Sequence, residues 1–217
     1  MRLLTSDERP SKSQARRQHV WSDDEINDLI TASANQATRS ESRYDYTRLL
    51  RVAVSTGLRL GELLGLQWQD IDFAGHEILV RRQWTRYSEY TEPKTSQAVR
   101  RIPVSSDVIT LLAEHKLAVS RTQPQDPVFA SRTGTPLSHR NVQRRGFGAA
   151  AEAAGLHDVT FHDLRHAFAS RMIARGLTST VLCRIMGHSN PGITERVYVH
   201  LFDKSRTDDA VRAAMSR

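Results

Sequence analysis

The chain has 217 residues, of which 39% are hydrophobic and 25% are charged, a composition typical of a folded globular protein. Its one cysteine, Cys183, excludes a disulfide within the chain, and no apolar run reaches the roughly 18 residues that a membrane helix needs. Lys and Arg number 31 against 24 Asp and Glu, and the resulting charge of +7 favours a polyanionic partner, although many basic proteins bind none.

The first residues change from a polar to a helical pattern. Residues 1–20 are polar and basic and predict a linker or tail, which leaves residues 21–217 as one folded domain. Ser22 and Glu25 have the spacing of a capping box, in which each side chain bonds the backbone N–H of the other, and they predict the start of a helix. A polar loop is expected at about residues 33–42.

The next segments alternate between helix and strand patterns. Apolar residues at helical spacing predict helices at about residues 44–56, where Gly57 supplies a C-cap, and at 58–68. The period then shortens, which predicts strands at 70–73, 77–83 and 99–104, with a turn at 74–75 and a long polar connection at 85–97. Ser105 and Ser106 predict the cap of a further helix, and residues 128–130 a fragment of strand.

The C-terminal half has the pattern of consecutive helices. They are predicted at about residues 139–154, 161–175, 179–186, 192–201 and 204–215. Gly155, Gly176 and Gly187 stand where C-cap glycines are expected. The predicted fold class is therefore mainly α with a small antiparallel β-sheet, an α+β architecture.

The segment FHDLRHAF concentrates cationic and titratable side chains. On a helix His162, Arg165 and His166 share one face, because they are three and four positions apart. A surface cluster without a catalytic role fits this pattern. A zinc site of the metalloprotease kind is disfavoured, because Asp163 stands where the catalytic glutamate would be and the fixed charge of Arg165 would lie beside the metal.

Two further segments carry polar side chains among apolar ones. In TGLRLGELLGLQW, Arg59 lies three positions before Glu62. A structural ion pair fits this spacing, and so does an arginine that Glu62 holds with its fork towards an anion. In LGHSNPGITERVYVH, His188 follows a helix end and Tyr198 lies ten residues further on, where a tyrosine is by default a core residue.

Taken together, these segments resemble the tyrosine recombinases of the phage integrase family. The similarity covers about residues 21–203 and includes the words TGLRLGELLGLQW, PKT followed by RRIPV, HDLRH, and LGHS with a tyrosine shortly after. The residues that match the family's active-site signature are, in order, Arg59, Lys94, His162, Arg165, His188 and Tyr198. The resemblance implies the tyrosine recombinase catalytic-domain fold and site-specific cleavage and rejoining of DNA, as in DNA integration and recombination.

The resemblance also implies a role for each matching side chain. Tyr198 is implied to be the nucleophile that forms a covalent 3′-phosphotyrosine, while Arg59, Arg165 and His188 bind the non-bridging phosphate oxygens. His162 is implied to act as the general base and Lys94 as the general acid. Glu62 and His166 are expected to support Arg59 and the helix of Arg165, and no metal or other cofactor is expected.

Further basic residues are candidates for contacts with the DNA backbone, with a solvated charged surface as the alternative. They are Arg81, Arg82, Arg86, Arg100, Arg101, Arg140, Arg144 and Arg145. The resemblance implies double-stranded DNA and three further copies in a homotetramer on DNA as partners, with a monomer as an open alternative for the free protein. It also implies an upstream core-binding domain, which we expect to be missing from this chain. We expect no membrane association and a place in the cytoplasm of a bacterium or phage host, at the nucleoid.

Two other functions stay open at this point. A type IB topoisomerase uses similar residues to relax supercoiled DNA, and relaxation without site preference would identify it. A non-catalytic DNA-binding protein with the same fold is the other alternative, but it has no need of Lys94 and Tyr198 together.

Overall fold

The N-terminal helix begins where its capping signal predicts. In a computed structural model, which describes residues 19, 21–38, 44–92, 99–187, 212 and 215, helix α1 (Asp23–Thr38) follows Ser22. The backbone N–H of Ser22 donates to Glu25 Oε2 at 2.8 Å, and that of Glu25 donates to Ser22 Oγ at 3.1 Å, which confirms the capping box. The helix continues to Thr38, past the predicted start of a loop at residue 33, because Ser33 is buried and accepts a hydrogen bond from Thr47 Oγ1 at 3.3 Å.

Two helices connected by a short extended segment follow. Helix α2 (Thr47–Thr56) ends at Gly57, whose left-handed φ of 64° and N–H bond to Ala53 O at 3.0 Å confirm the predicted C-cap. Helix α3 (Leu60–Leu64) is shorter than the predicted helix at 58–68, because its N-cap residue, Arg59, has an extended backbone. A 3₁₀ turn, Trp68–Asp70, leads from α3 to the sheet.

The small antiparallel sheet that the sequence predicts is present. Strands β1 (Ile71–Asp72), β2 (Glu77–Val80) and β5 (Arg100–Pro103) lie in the order β1-β2-β5, with Ile78 opposite Ile71 on one side and opposite Ile102 on the other. Strands β3 (Gln83–Trp84) and β4 (Tyr90–Thr91) form a separate hairpin, and β4 lies within residues 85–97, where a polar connection was expected. The ring of Trp84 packs on that of Tyr90 at a centroid distance of 4.8 Å, and this contact holds the hairpin together.

The second half of the described chain is helical, as predicted. Its helices are α4 (Ser106–Ala118), α5 (His139–Asn141), α6 (Ala149–Ala153), α7 (Asp163–Ala174) and α8 (Ser179–Met186), with a π-helical segment, Val142–Gly148, between α5 and α6. The predicted strand at 128–130 is wrong, since Ala130 forms only an isolated bridge with Pro136. The structure does not describe the predicted helices at 192–201 and 204–215, apart from residues 212 and 215. The predicted linker or tail at 1–20 also lies outside the described residues, apart from residue 19.

Two apolar clusters hold these elements together. The larger one joins α1, α2, the three-stranded sheet and α4 through fully buried side chains such as Leu29, Leu50, Ile78 and Leu112. The smaller one packs α7 on α8 through Phe168, Ala169, Ile173, Leu182 and Met186. The clusters bring the end of α2, the start of α3 and the end of α8 to one place. Within the described ranges, no helix has the length and apolar character that crossing a membrane requires.

Replacing Gly57 with alanine is expected to destabilise the fold by about 2–4 kcal/mol. The left-handed backbone disfavours any Cβ, and a Cβ at this position would overlap the ring of Phe168. Gly176→Ala is the matched control, because Gly176 also has a positive φ, of 91°, but a Cβ there meets no atom within 4 Å. Urea unfolding of the two variants checks the prediction, and an equal loss in both would contradict the packing argument.

Candidate active site

Three guanidinium groups meet at the C-terminal end of α8. The last carbonyls of a helix have no partners within the helix and carry partial negative charge, so cationic donors bind them well. Arg100, Arg165 and Arg59 come from three different elements and donate to three successive carbonyls. The bonds are Arg100 Nε to Ile185 O at 2.7 Å, Arg165 Nη2 to Met186 O at 2.6 Å, and Arg59 Nη2 to Gly187 O at 3.3 Å.

Arg59 is held by Glu62 while its guanidinium stays partly open to solvent. Arg59 Nη1 donates to Glu62 Oε1 at 3.0 Å, and the backbone N–H of Arg59 donates to Glu62 Oε2 at 2.9 Å. The Arg59 side chain is 41% exposed, whereas that of Glu62 is 9% exposed. The predicted pairing is thus confirmed. Glu62 fixes the backbone and one Nη atom of Arg59, while the guanidinium stays near the surface.

Arg165 is buried, in contrast to Arg59. It retains 3% of its surface, and its Nη1 donates to Gly57 O at 2.6 Å while its Nη2 bonds α8. The side chain therefore connects the end of α2 to the end of α8. The alternative of a surface cluster does not hold for Arg165, because its buried guanidinium points into the interior to meet these carbonyls.

The two histidines pack on each other at the start of α7. The rings of His162, the N-cap residue, and His166 contact edge to face with centroids 5.0 Å apart. Desolvation, followed by the charge of Arg165, lowers the pKa of His162, and desolvation followed by His162 lowers that of His166. Both imidazoles are therefore mainly neutral at neutral pH and able to accept a proton.

Asp163, which follows His162 in the chain, has a capping role. Asp163 Oδ2 accepts from the backbone N–H of Thr160 at 2.6 Å and from its hydroxyl at 2.8 Å, which fixes the first turn of α7. In the part of the chain that the structure describes, no cluster of three or more His, Cys, Asp or Glu side chains suits a metal ion.

Arg100 lies inside the molecule, which corrects its predicted place among the DNA-contacting residues. Arg100 is 6% exposed, and its two Nη atoms donate to the two oxygens of Glu62 at 3.1 and 3.0 Å. Burial alone would raise the pKa of Glu62, but the hydrogen bonds and charges of Arg100 and Arg59 outweigh it and hold that pKa below 4.5. The alternation of β5 contains a signal for this, because Arg100 lies two positions before the buried Ile102.

Arg81 and Arg82 both pair with the buried carboxylate of Asp70. Arg81 Nε lies 2.8 Å from Asp70 Oδ1, and Arg82 Nη1 bonds Oδ2. The side chain of Arg82 is 16% exposed and that of Arg81 is 37% exposed. Arg82 therefore mainly stabilises the start of the sheet by its ion pair with Asp70, whereas Arg81 also reaches the surface.

The other predicted DNA-contacting arginines lie at the surface. Arg101 is exposed and lies 3.3 Å from Glu77 across the sheet. Arg86 bonds the hydroxyl of Tyr87 at 2.7 Å and lies over its ring at the tip of the β3–β4 hairpin. Arg140, in α5, and Arg144 and Arg145, in the π-helical segment, are also exposed. Their contacts with DNA stay predictions.

Three of the predicted catalytic residues lie outside the described residues. Lys94 belongs to the segment between β4 and β5, and His188 follows Gly187 directly in the chain. Tyr198 lies further towards the C-terminus. The described part of the site thus contains Arg59, His162 and Arg165, with Glu62 and His166 beside them.

Sequence comparisons identify proteins similar to this chain. Residues 20–205 match the sequence profile described as the phage integrase family. A tyrosine recombinase XerC-like protein of Caldanaerobacter subterraneus subsp. tengcongensis is 29% identical over 212 residues, which cover 87% of this chain and 52% of that protein. The tyrosine recombinase XerC of Serratia marcescens is 31% identical, over 82% of this chain and 54% of its own length. The chain therefore spans about half the length of these relatives.

Solved structures show the same fold. The Tn1549 transposon integrase in complex with circular intermediate DNA superimposes with a TM-score of 0.76 at 22% identity, over 94% of this chain and 68% of that one. The XerA recombinase gives a TM-score of 0.67 at 24% identity, over 96% and 68% of the two chains. A lambda integrase dimer bound to a core site gives 0.64 at 22% identity, over 92% and 51%.

Proposed function

The chain belongs to the phage integrase family of tyrosine recombinases, and from this membership we propose that it cleaves and rejoins DNA strands through a covalent 3′-phosphotyrosine at Tyr198. The observation that carries the proposal is the joint attachment of Arg59 and Arg165 to the end of α8, directly before His188. These bonds hold Arg59 and Arg165 at the end of α8. The chain continues from this point to two further signature residues, His188 and Tyr198. The substrate is proposed to be double-stranded DNA; the similar Tn1549 integrase is in complex with circular intermediate DNA, and the lambda integrase dimer is bound to a core site.

The proposed reaction exchanges one phosphate ester for another. Tyr198 Oη attacks the phosphorus, the bond between phosphorus and O5′ breaks, and the 3′-phosphate becomes joined to the tyrosine. The phenol proton passes to His162, and O5′ takes a proton from Lys94 as it leaves. A 5′-hydroxyl of another strand reverses these steps. The number of ester bonds is unchanged, so no nucleotide hydrolysis is needed. Two duplexes require four such cleavages, and we therefore propose a homotetramer as the active assembly.

Electrostatic stabilisation of the phosphate is assigned to the arginines. The transition state carries negative charge on its non-bridging oxygens, and donors fixed before the reaction lower the barrier most. We propose that the half-exposed fork of Arg59, which Glu62 orients, donates to two phosphate oxygens. The buried charge of Arg165 adds to the positive potential beneath the same site, and His188 is the third proposed donor.

The histidine base predicts the pH dependence of cleavage. Because the pKa of His162 lies below its ordinary value of 6.5, the base stays unprotonated until the pH falls below that value. Single-turnover cleavage at saturating DNA is expected to decline only at pH values below the ordinary histidine pKa, and His162→Gln to lower the rate by about 100-fold and remove this acid limb. A variant that keeps both the limb and the rate would show that His162 is not the base.

A covalent-capture assay tests the proposed function. The protein is incubated in EDTA with a pool of nicked duplexes whose core sequence is randomised, and adducts are isolated on a denaturing gel. We expect a slower band whose DNA reports the preferred site and whose peptide maps to Tyr198. Loss of the adduct in EDTA and its return with zinc would contradict the proposed chemistry. Relaxation of supercoiled plasmid without site preference would instead favour the topoisomerase alternative.

A further inference from the structure

The carboxylate of Glu62 is shared between two arginines. Oε1 accepts from Arg59 Nη1 at 3.0 Å and from Arg100 Nη1 at 3.1 Å. Oε2 accepts from the backbone N–H of Arg59 at 2.9 Å and from Arg100 Nη2 at 3.0 Å. These bonds use the lone pairs of both oxygens, so Glu62 cannot turn without breaking several charge-assisted hydrogen bonds.

Arg100 also reaches a third element. Its Nε donates to Ile185 O at 2.7 Å, so one buried guanidinium links β5, α3 and the end of α8. The packing around it is tight, because a Cβ on Gly187 would lie 2.7 Å from Arg100 Nη1. Gly187 therefore satisfies two constraints at once, the left-handed φ of 63° that ends α8 and the close approach of Arg100.

We propose that Arg100 is a positioning residue for DNA cleavage: through Glu62 it sets the direction of the Arg59 fork, and through Ile185 it fixes the end of α8 from which His188 follows. The inference rests on the proposed function, whose catalytic groups are Arg59 and His188. Arg100 itself is 6% exposed and acts on the phosphate only through these neighbours.

Lysine cannot substitute fully for this arginine. The planar guanidinium presents parallel donors that match the two carboxylate oxygens and leaves Nε for the carbonyl of Ile185. An ammonium group in the same space supplies the charge without the fork. A lysine variant should therefore keep Glu62 ionised but hold Arg59 and α8 less firmly.

Removal of the charge should have a further consequence. Without Arg100, the buried Glu62 keeps the half-exposed Arg59 as its one cationic partner among the residues that the structure describes, and burial then raises the pKa of Glu62. Protonation of Glu62 weakens its hold on Arg59. The loss of cleavage rate in such a variant should therefore grow as the pH falls. A variant that is only less stable, but still folded and saturated with DNA, would not show this pH trend.

The test compares Arg100→Met and Arg100→Lys with the wild type and with Arg51→Met, which removes the same charge from an exposed position on α2. Single-turnover cleavage and DNA affinity are measured on the duplex enriched by the capture assay, at several pH values. We expect Arg100→Met to cleave about 10- to 100-fold more slowly at saturating DNA, with the deficit growing towards acid pH. Arg100→Lys should lose about tenfold or less without this pH trend, and Arg51→Met should match the wild type.

Hydrogen exchange provides a readout that does not depend on cleavage. The amide of Gly187 bonds Arg184 O at 3.2 Å, and its exchange should accelerate in both Arg100 variants. If Arg100→Met fails to fold, Arg100→Lys carries the test alone. A folded Arg100 variant with wild-type cleavage and wild-type exchange at Gly187 overturns the proposal. Absence of an adduct in the wild type would overturn the proposed function instead. In that case, faster exchange of the Gly187 amide in the Arg100 variants would still show that Arg100 stabilises the end of α8.

Discussion

Replacing Tyr198 with phenylalanine is expected to abolish the covalent protein–DNA adduct and to leave DNA affinity within about threefold. Phenylalanine lacks the oxygen that attacks phosphorus, but it keeps the ring and the charge of the protein, and DNA affinity depends mainly on charge. The adduct is measured on a denaturing gel and the affinity by a mobility shift on the same duplex.

The other tyrosines of the chain are poor candidates for the nucleophile. Burial raises the pKa values of Tyr44, Tyr46 and Tyr90, which makes their phenolate forms harder to reach. Tyr87 is exposed at the tip of a hairpin, where its hydroxyl accepts a hydrogen bond from Arg86. Tyr44→Phe is therefore a suitable control and should form the adduct at the wild-type rate. An adduct in Tyr198→Phe would assign the nucleophile elsewhere, and peptide mapping would identify it.

Local signals in the sequence predict the element ends well. The capping box of Ser22 and Glu25 and the C-cap glycines Gly57 and Gly187 depend on contacts within a few residues, so the sequence alone contains them. The switch from helical to alternating patterns also predicts the three-stranded sheet, because strand faces differ in burial.

Contacts between distant residues account for the errors. Helix α1 continues past Ser33 because Gln36 Nε2 donates to Ala149 O at 2.7 Å and later helices cover this turn. The β3–β4 hairpin is too short for a periodic pattern, and it depends on the packing of Trp84 and on the hydrogen bond between His139 Nε2 and Trp84 O at 2.6 Å. This hydrogen bond joins residues 55 positions apart, so no local segment predicts it.

The candidate site shows the same division. The pairing of Arg59 with Glu62 is local and was predictable from a spacing of three. The pairing of Glu62 with Arg100 joins residues 38 positions apart, and the sequence contains no pattern that names one as the partner of the other. The bonds to the carbonyls at the end of α8 could not be predicted either, because a sequence motif specifies side chains and not backbone acceptors.

Variants of the two signature arginines should differ in stability, although both arginines are proposed to take part in cleavage. Arg165→Lys is expected to lower the free energy of unfolding by about 2–4 kcal/mol, because a buried ammonium cannot reach both Gly57 O and Met186 O. Arg59→Lys is expected to cost less than about 1 kcal/mol, since its side chain is 41% exposed and its ion pair lies near the surface.

Cleavage should nevertheless fall by about 1,000-fold in each variant, because Arg59→Lys loses the planar donors proposed to bond the phosphate and Arg165→Lys displaces the buried charge beneath it and loosens the end of α8. Urea unfolding and single-turnover rates at saturating DNA separate the two effects. A large stability loss in Arg165→Lys alone would show that Arg165 both links α2 to α8 and supports the reaction. Arg59 would then have a role in the reaction and little role in stability. Equal stability losses in the two variants would show that burial does not separate their structural roles. A wild-type rate in Arg59→Lys would show that its charge, rather than its fork, is what the phosphate requires.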